Sequence, residues 1–206
     1  MARYTGPKAR LMRRFGKNSL LSRSAKLERI AEKRPNPPGQ HGGRRRKQVG
    51  AYGQRLFEKQ KLRAMYSISE KQLVRIMEEA NRRTGNTGVN LLRLLERRLD
   101  TVVFRLGFAP TIWAARQLVT HGHVLVNGRR LDVPSAMVKP GDAIALAERI
   151  RKSEQVQEWV GRGVPSIPGY LELGTEPMTG RFAREPERDE IPVAINEALI
   201  IEYYSR

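Results

Sequence analysis

Apolar residues return at helical spacing through much of the first half of the chain. Leu73, Ile76, Met77 and Ala80 fall at i, i+3, i+4 and i+7, which is one face of a helix. Ser69 stands before them as an N-cap, Gln72 completes a capping box, and Ile68 is placed to staple against Leu73. The run Arg82-Arg83-Thr84-Gly85-Asn86-Thr87-Gly88 ends that helix. Upstream, Tyr52, Leu56, Leu62, Met65 and Tyr66 punctuate a helical stretch from about Ala51, and Leu27 with Ile30 marks a shorter helix over 24–33. Between these two, residues 34–43 hold three prolines and three glycines, which no helix continues through. A Leu-rich run from Leu91 to Leu106 is helical again, with a break near Leu99-Asp100. Residues 1–22 are basic and poor in periodic apolar positions, and read as an extension that orders on a partner.

The period changes after Pro110. Thr111 is an N-cap, and Ile112, Ala115, Leu118 and Val119 give the stripe of a short helix that ends at Gly122. Val124-Leu125-Val126 reads as a strand, and Asn127-Gly128 is the strongest short hairpin signal. Lys139-Pro140-Gly141-Asp142 predicts a type II turn before a second strand over 143–146. A polar helix near 150–160 follows, then a loop-rich stretch, then a β-prone end over 198–204. The pattern predicts an α+β chain in three parts. Residues 1–47 form a basic extension. Residues 48–97 form a helical domain, with 196–206 packing back on it. Residues 98–195 form an α+β domain containing a helix-helix-hairpin module over 98–147.

Charge changes this picture more than composition does. The 206 residues carry 39 Lys+Arg against 21 Asp+Glu, a net charge of +18. The excess is uneven: residues 1–66 hold 19 Lys+Arg and 3 Glu, whereas residues 151–206 hold 7 Lys+Arg and 10 Asp+Glu. A block of that sign repels itself and calls for a polyanion. Bulky apolar residues are too scarce in it for a membrane-surface helix, so nucleic acid is the expected partner. The acidic stretch 185–190 is expected to face a basic protein neighbour. There is no cysteine, which excludes a disulfide scaffold, a thiol nucleophile and a Cys-based metal site. Met1-Ala2-Arg3-Tyr4 has no apolar run behind it, so no secretory signal is read and an intracellular, cytoplasmic protein is expected.

Two sets of side chains are candidates for the nucleic-acid contact. Arg44, Arg45, Arg46, Lys47, Lys59, Lys61, Arg63 and Arg82 are expected to neutralise phosphates. Arg116, Gln117, His121, His123, Asn127, Arg129 and Arg130 sit where a short helix meets a hairpin. That shallow surface suits the backbone and 2′-hydroxyls of structured RNA. His41, His121 and His123 lack a third or fourth ligand at useful spacing, so no metal is expected. Gly39–Gly43 runs into arginines without a Gly-Lys-Ser/Thr ending, so it is no phosphate loop. No cofactor or small-molecule substrate is called for.

The segments Arg98-Leu99-Asp100, Ala114-Ala115-Arg116-Gln117-Leu118-Val119, His121-Gly122-His123-Val124, Val126-Asn127-Gly128-Arg129-Arg130 and Val138-Lys139-Pro140-Gly141-Asp142 resemble the S-four RNA-binding module. Pro37-Pro38-Gly39-Gln40-His41-Gly42, Glu58-Lys59-Gln60-Lys61-Leu62-Arg63 and Ile201-Glu202-Tyr203-Tyr204-Ser205-Arg206 resemble, more narrowly, the universal S-four family of bacterial small-subunit ribosomal proteins. The likeness spans Arg3 to Arg206. It implies a structural constituent of the small ribosomal subunit that binds 16S rRNA first and holds a multi-helix junction of the 5′ domain. It further implies that the protein nucleates assembly of the subunit body and affects accuracy through contact with ribosomal protein S-five. Many members carry a four-cysteine zinc site near the N-terminus; with no cysteine, this chain is a variant without it. The alternative with the same module is a pseudouridine synthase, whose catalytic Asp lies in an Arg-Leu-Asp motif matched by Arg98-Leu99-Asp100 and Arg130-Leu131-Asp132. Against it, residues 151–206 are too few and too acidic to form the separate domain that grips an extruded base.

Overall fold

The computed structural model describes residues 4–16, 22–43, 49–163 and 166–205. It divides into two compact units, Met1–Gly88 with Val193–Arg206, and Val89–Pro192.

The first unit is helical. Helix α1 (Lys8–Phe15) lies against α2 (Ala25–Lys33), and α3 (Ala51–Met65) is followed by α4 (Glu70–Arg82). The start of α4 is fixed as its sequence predicts: Gln72 N–H donates to Ser69 Oγ, and Ser69 N–H donates to Gln72 Oε1. Leu62, Met65, Tyr66, Leu73, Met77 and Ala80 are buried here.

Two expectations need correction in this unit. Residues 8–15 form a helix in which Met12 is buried and Phe15 packs on Phe57 at 5.2 Å between ring centroids, so they are not a bare extension. The Arg13 guanidinium also donates to the carbonyls of Asn36 and Pro37 at 2.9 and 3.4 Å, fastening the proline-rich turn to α1. The β-prone end is a helix, α10 (Glu197–Tyr204), lying along α3. Asn196 caps it by accepting from Leu199 N–H at 3.4 Å. Tertiary partners outweigh the strand propensity of Ile, Leu and Tyr here.

The second unit contains α5 (Thr87–Glu96, whose first residues belong to the helical unit), α6 (Leu99–Arg105) and α7 (Ile112–Thr120). The break between α5 and α6 falls at Arg97-Arg98, where the chain pairs with residues 134–138: Leu99 N–H donates to Ala136 O and Val138 N–H to Arg97 O. An antiparallel sheet follows in the order β2-β1-β3-β5-β4. Its strands are β1 (Val124–Val126), β2 (Arg129–Arg130), β3 (Ala143–Leu146), β4 (Leu171–Leu173) and β5 (Thr179–Phe182). The last two lie in the stretch expected to be loop-rich and extend the hairpin sheet. The polar helix expected over 150–160 is divided into α8 (Glu148–Arg151) and α9 (Glu154–Gly161). Four leucines of α5, with Val102, Val103, Val119, Val124, Ile144 and Leu146, form the core beside an edge-to-face Tyr170–Phe182 pair.

Candidate nucleic-acid interface

Helix α7 ends in a Schellman motif. His123 N–H donates to Leu118 O at 2.9 Å, and Gly122 N–H donates to Val119 O at 2.8 Å. Gly122 has φ +67°, and a Cβ there would fall 1.9 Å from Nε of Arg130. The positive φ favours glycine, and the missing Cβ lets the flexible guanidinium of Arg130 settle there. Arg130, thus seated over the helix end, donates to His121 O at 3.1 Å, a favourable place for a cation. The adjoining hairpin turns through Asn127 at φ +50° and Gly128 at φ +77°, the type I′ geometry that Asn-Gly predicts.

Asn127 does not offer its amide outward. Its Nδ2 donates to Asp142 Oδ1 at 2.9 Å, while its Oδ1 accepts from Ala143 N–H at 2.9 Å. Asp142 Oδ2 in turn accepts from Lys139 N–H at 2.7 Å. This lock joins the hairpin turn to the Pro140-Gly141 turn and fixes where Arg129 and Lys139 emerge. Arg129, Arg130, His121 and Gln117 are all exposed. His123 is half-buried, and its pKa is held below the ordinary histidine range, first by burial and then by His121, Arg130 and Arg149. It is therefore neutral at pH 7, a hydrogen-bonding group beside the cations.

Arg116, expected on the same surface, serves the interior. Asp100 is completely buried and accepts from Arg98 at 3.1 and 2.9 Å, from Arg116 at 3.0 and 2.6 Å, and from Thr101 N–H at 3.0 Å. Two guanidiniums on one carboxylate bind α6 to α7. A second buried group repeats the device: Glu96 accepts from Arg105 at 3.0 and 2.6 Å and from the Tyr170 hydroxyl at 2.8 Å.

In the helical unit the expected phosphate contacts separate. Arg44, Arg45, Arg46 and Lys47 lie outside the described residues. Lys59 is buried, donates to Glu70 at 2.7 Å and lies 4.5 Å from the Tyr203 ring centroid. Lys61 donates to the Ala194 carbonyl at 2.7 Å, and Arg63 to Glu70 at 3.2 Å. Glu70 also accepts from the Tyr204 hydroxyl at 2.8 Å. Burial raises the Glu70 pKa, but Lys59, Tyr204 and Arg63 outweigh it and the net direction is downward. Burial and the Glu70 carboxylate push the Tyr204 phenol up, so it stays a donor. Arg82 is exposed at the end of α4, together with Lys71 and Arg75 on the same helix.

The sequence reading missed Arg149, which the structure brings beside His123. The cause is strand register: β1 and β3 pair Val124 with Leu146, and Ala147 N–H then donates to His123 O. The acidic stretch is partly neutralised within the chain, since Glu185 pairs with Arg97 at 2.7 Å and Glu190 with Arg184. Among the described residues no three His, Cys, Asp or Glu side chains gather as a metal site, and no helix is long and apolar enough to cross a membrane.

A short helix locked to a cationic hairpin, in a chain that also carries a basic helical unit, defines an RNA-binding class of protein. Residues 3–96 match the family described as Ribosomal protein S4/S9 N-terminal domain, and residues 97–144 match the S4 domain. The chain is 48% identical over 206 residues to small ribosomal subunit protein uS4 of Geobacillus sp. (strain WCH70), covering 100% of both. It is 49% identical over 206 residues to that of Rubrobacter xylanophilus, and 48% identical over 212 residues to that of Thermus thermophilus, again over 100% of each. The chain belongs to the uS4 family of small ribosomal subunit proteins.

Proposed function

We propose that this chain is a non-enzymatic structural constituent of the small ribosomal subunit in the cytoplasm, and a primary binder of 16S rRNA. It holds a multi-helix junction of the 5′ domain, nucleates assembly of the body, and contributes to translational accuracy through contact with ribosomal protein S-five. The observation that carries the reading is the tip formed by Arg129, Arg130 and His121, held rigid by the Schellman end of α7 and the Asn127–Asp142 lock. Such a surface fits RNA backbone and 2′-hydroxyls by shape, with little call on base identity.

The pseudouridine synthase alternative meets a geometric obstacle. Catalysis on a base needs an accessible carboxylate in a fold that grips the base. Asp100 is sealed beneath Arg98 and Arg116, while the exposed Asp132 lies just past the hairpin on the shallow surface of the module. The test is filter binding of the full chain to a 16S 5′-domain transcript. With 6–10 phosphate contacts, affinity falls by about 10³–10⁵ between roughly 50 and 200 mM salt. A flat response, or pseudouridine formed in the transcript, overturns the proposal.

A further inference from the structure

Helix α1 does not close fully on the corner between α3 and α4. A cavity of about 450 Å³ remains there, lined among others by Tyr4, Arg10, Leu11, Arg14, Phe15 and Arg63. We propose that it receives a single unstacked nucleotide of the bound RNA, with the base against Tyr4 and the apolar wall of α1, and the phosphate on Arg10 and Arg14.

The size and the chemistry agree. The volume lies within the roughly 300–1,000 Å³ of small-ligand pockets, room for one nucleotide. Leu11 and Phe15 supply an apolar wall, which a phosphate alone has no use for. Arg14 lies 5.3 Å from the Phe15 ring centroid, so a guanidinium plane and an aromatic ring adjoin. Arg63 shares the Glu70 carboxylate with Lys59, whereas Arg10 and Arg14 are exposed at the mouth and turn toward solvent. Aromatic and guanidinium planes are what proteins use to take up bases that have left a stack.

Tyr4 is held ready for that task. Its hydroxyl donates to Pro7 O at 3.3 Å, and Lys8 Nζ donates to Tyr4 O at 2.7 Å while lying 5.0 Å from the ring centroid. The ring crosses Gly6, where a Cβ would come 2.7 Å from the phenol oxygen. These contacts orient the ring, yet leave it 37% exposed.

The proposal rests on the rRNA-binding reading, and the test separates the two. The full chain and its variants are titrated with the 5′-domain transcript over a range of salt. Tyr4→Ala is expected to weaken binding by roughly 5- to 150-fold, the loss of one base–aromatic stack. The salt slope should stay unchanged, because no cation has left. Tyr4→Phe keeps the ring and should bind like the parent, whereas Arg10→Ala with Arg14→Ala should lower the slope by about 1–2. Full affinity in Tyr4→Ala, or equal weakness in Tyr4→Phe, overturns the nucleotide site while rRNA binding stands. A parent chain that does not bind the transcript overturns both.

Discussion

On α3, Lys59 and Lys61 close on the chain itself, one on Glu70 and the other on the Ala194 carbonyl. At the hairpin, Arg129 and Arg130 stand exposed; Arg130 has a backbone carbonyl and Arg129 has no acidic partner among the described residues. Both places were marked by cationic side chains, and their employment is opposite. The difference lies in what the fold delivers to each. Helix α10 and the first turn of α4 bring the carboxylates of Glu202 and Glu70 to α3, and the segment before α10 brings the Ala194 carbonyl. The tip lies at the β2 edge of its sheet, and the Asp142 carboxylate there is occupied by Asn127 and Lys139 N–H. A count of cations therefore locates charge but not an interface; the acceptors already satisfied inside the chain decide that.

The two kinds of ionic centre also differ in weight, which gives ways to break the comparison. Asp100 is the stronger. Asp100→Ala leaves two guanidiniums without their shared acceptor in a dry site, and is expected to cost about 3–5 kcal/mol in urea unfolding. Stability like the parent's would mean that the buried network does not hold α6 to α7.

Glu70 is the weaker, because over a third of its side chain meets solvent. Glu70→Gln is expected to cost about 1 kcal/mol or less. Since its pKa is lowered in the folded chain, its contribution is present above the ordinary glutamate value of 4.5. That contribution fades as pH falls through the lower folded value. Melting curves of parent and Glu70→Gln should therefore differ at pH 7 and converge at low pH. A difference that does not shrink on acidification would show that Glu70 acts by packing, not by charge.

Much of this arrangement was legible in the sequence because it is local. The Ser69–Gln72 box, the Thr111 cap, the Asn127-Gly128 turn and the glycine after α7 are each decided within a few residues. What escaped was decided at a distance. Leu11, Met12 and Phe15 are sparse among arginines, and α1 gains its reason from α2, from Phe57 and from the turn that Arg13 holds. Helix α10 has strand-like composition, and becomes helical against α3. The roles of Lys59 and Arg116 depend on carboxylates 11 and 16 residues away, and that of Arg149 on strand register. Charge pattern alone assigned the first two to RNA.

The central claim is that unsatisfied cations grip the RNA and satisfied ones hold the fold. It is tested most directly by the slope of log affinity against log salt for the 5′-domain transcript in two double variants, each confirmed folded by its melting curve. Arg129→Ala with Arg130→Ala is predicted to lower the slope by about 1–2, at roughly 0.7–0.9 per lost phosphate contact. Lys59→Met with Lys61→Met is predicted to leave the slope at the parent's value. An equal fall in the α3 variant, or no fall at the hairpin tip, contradicts the account.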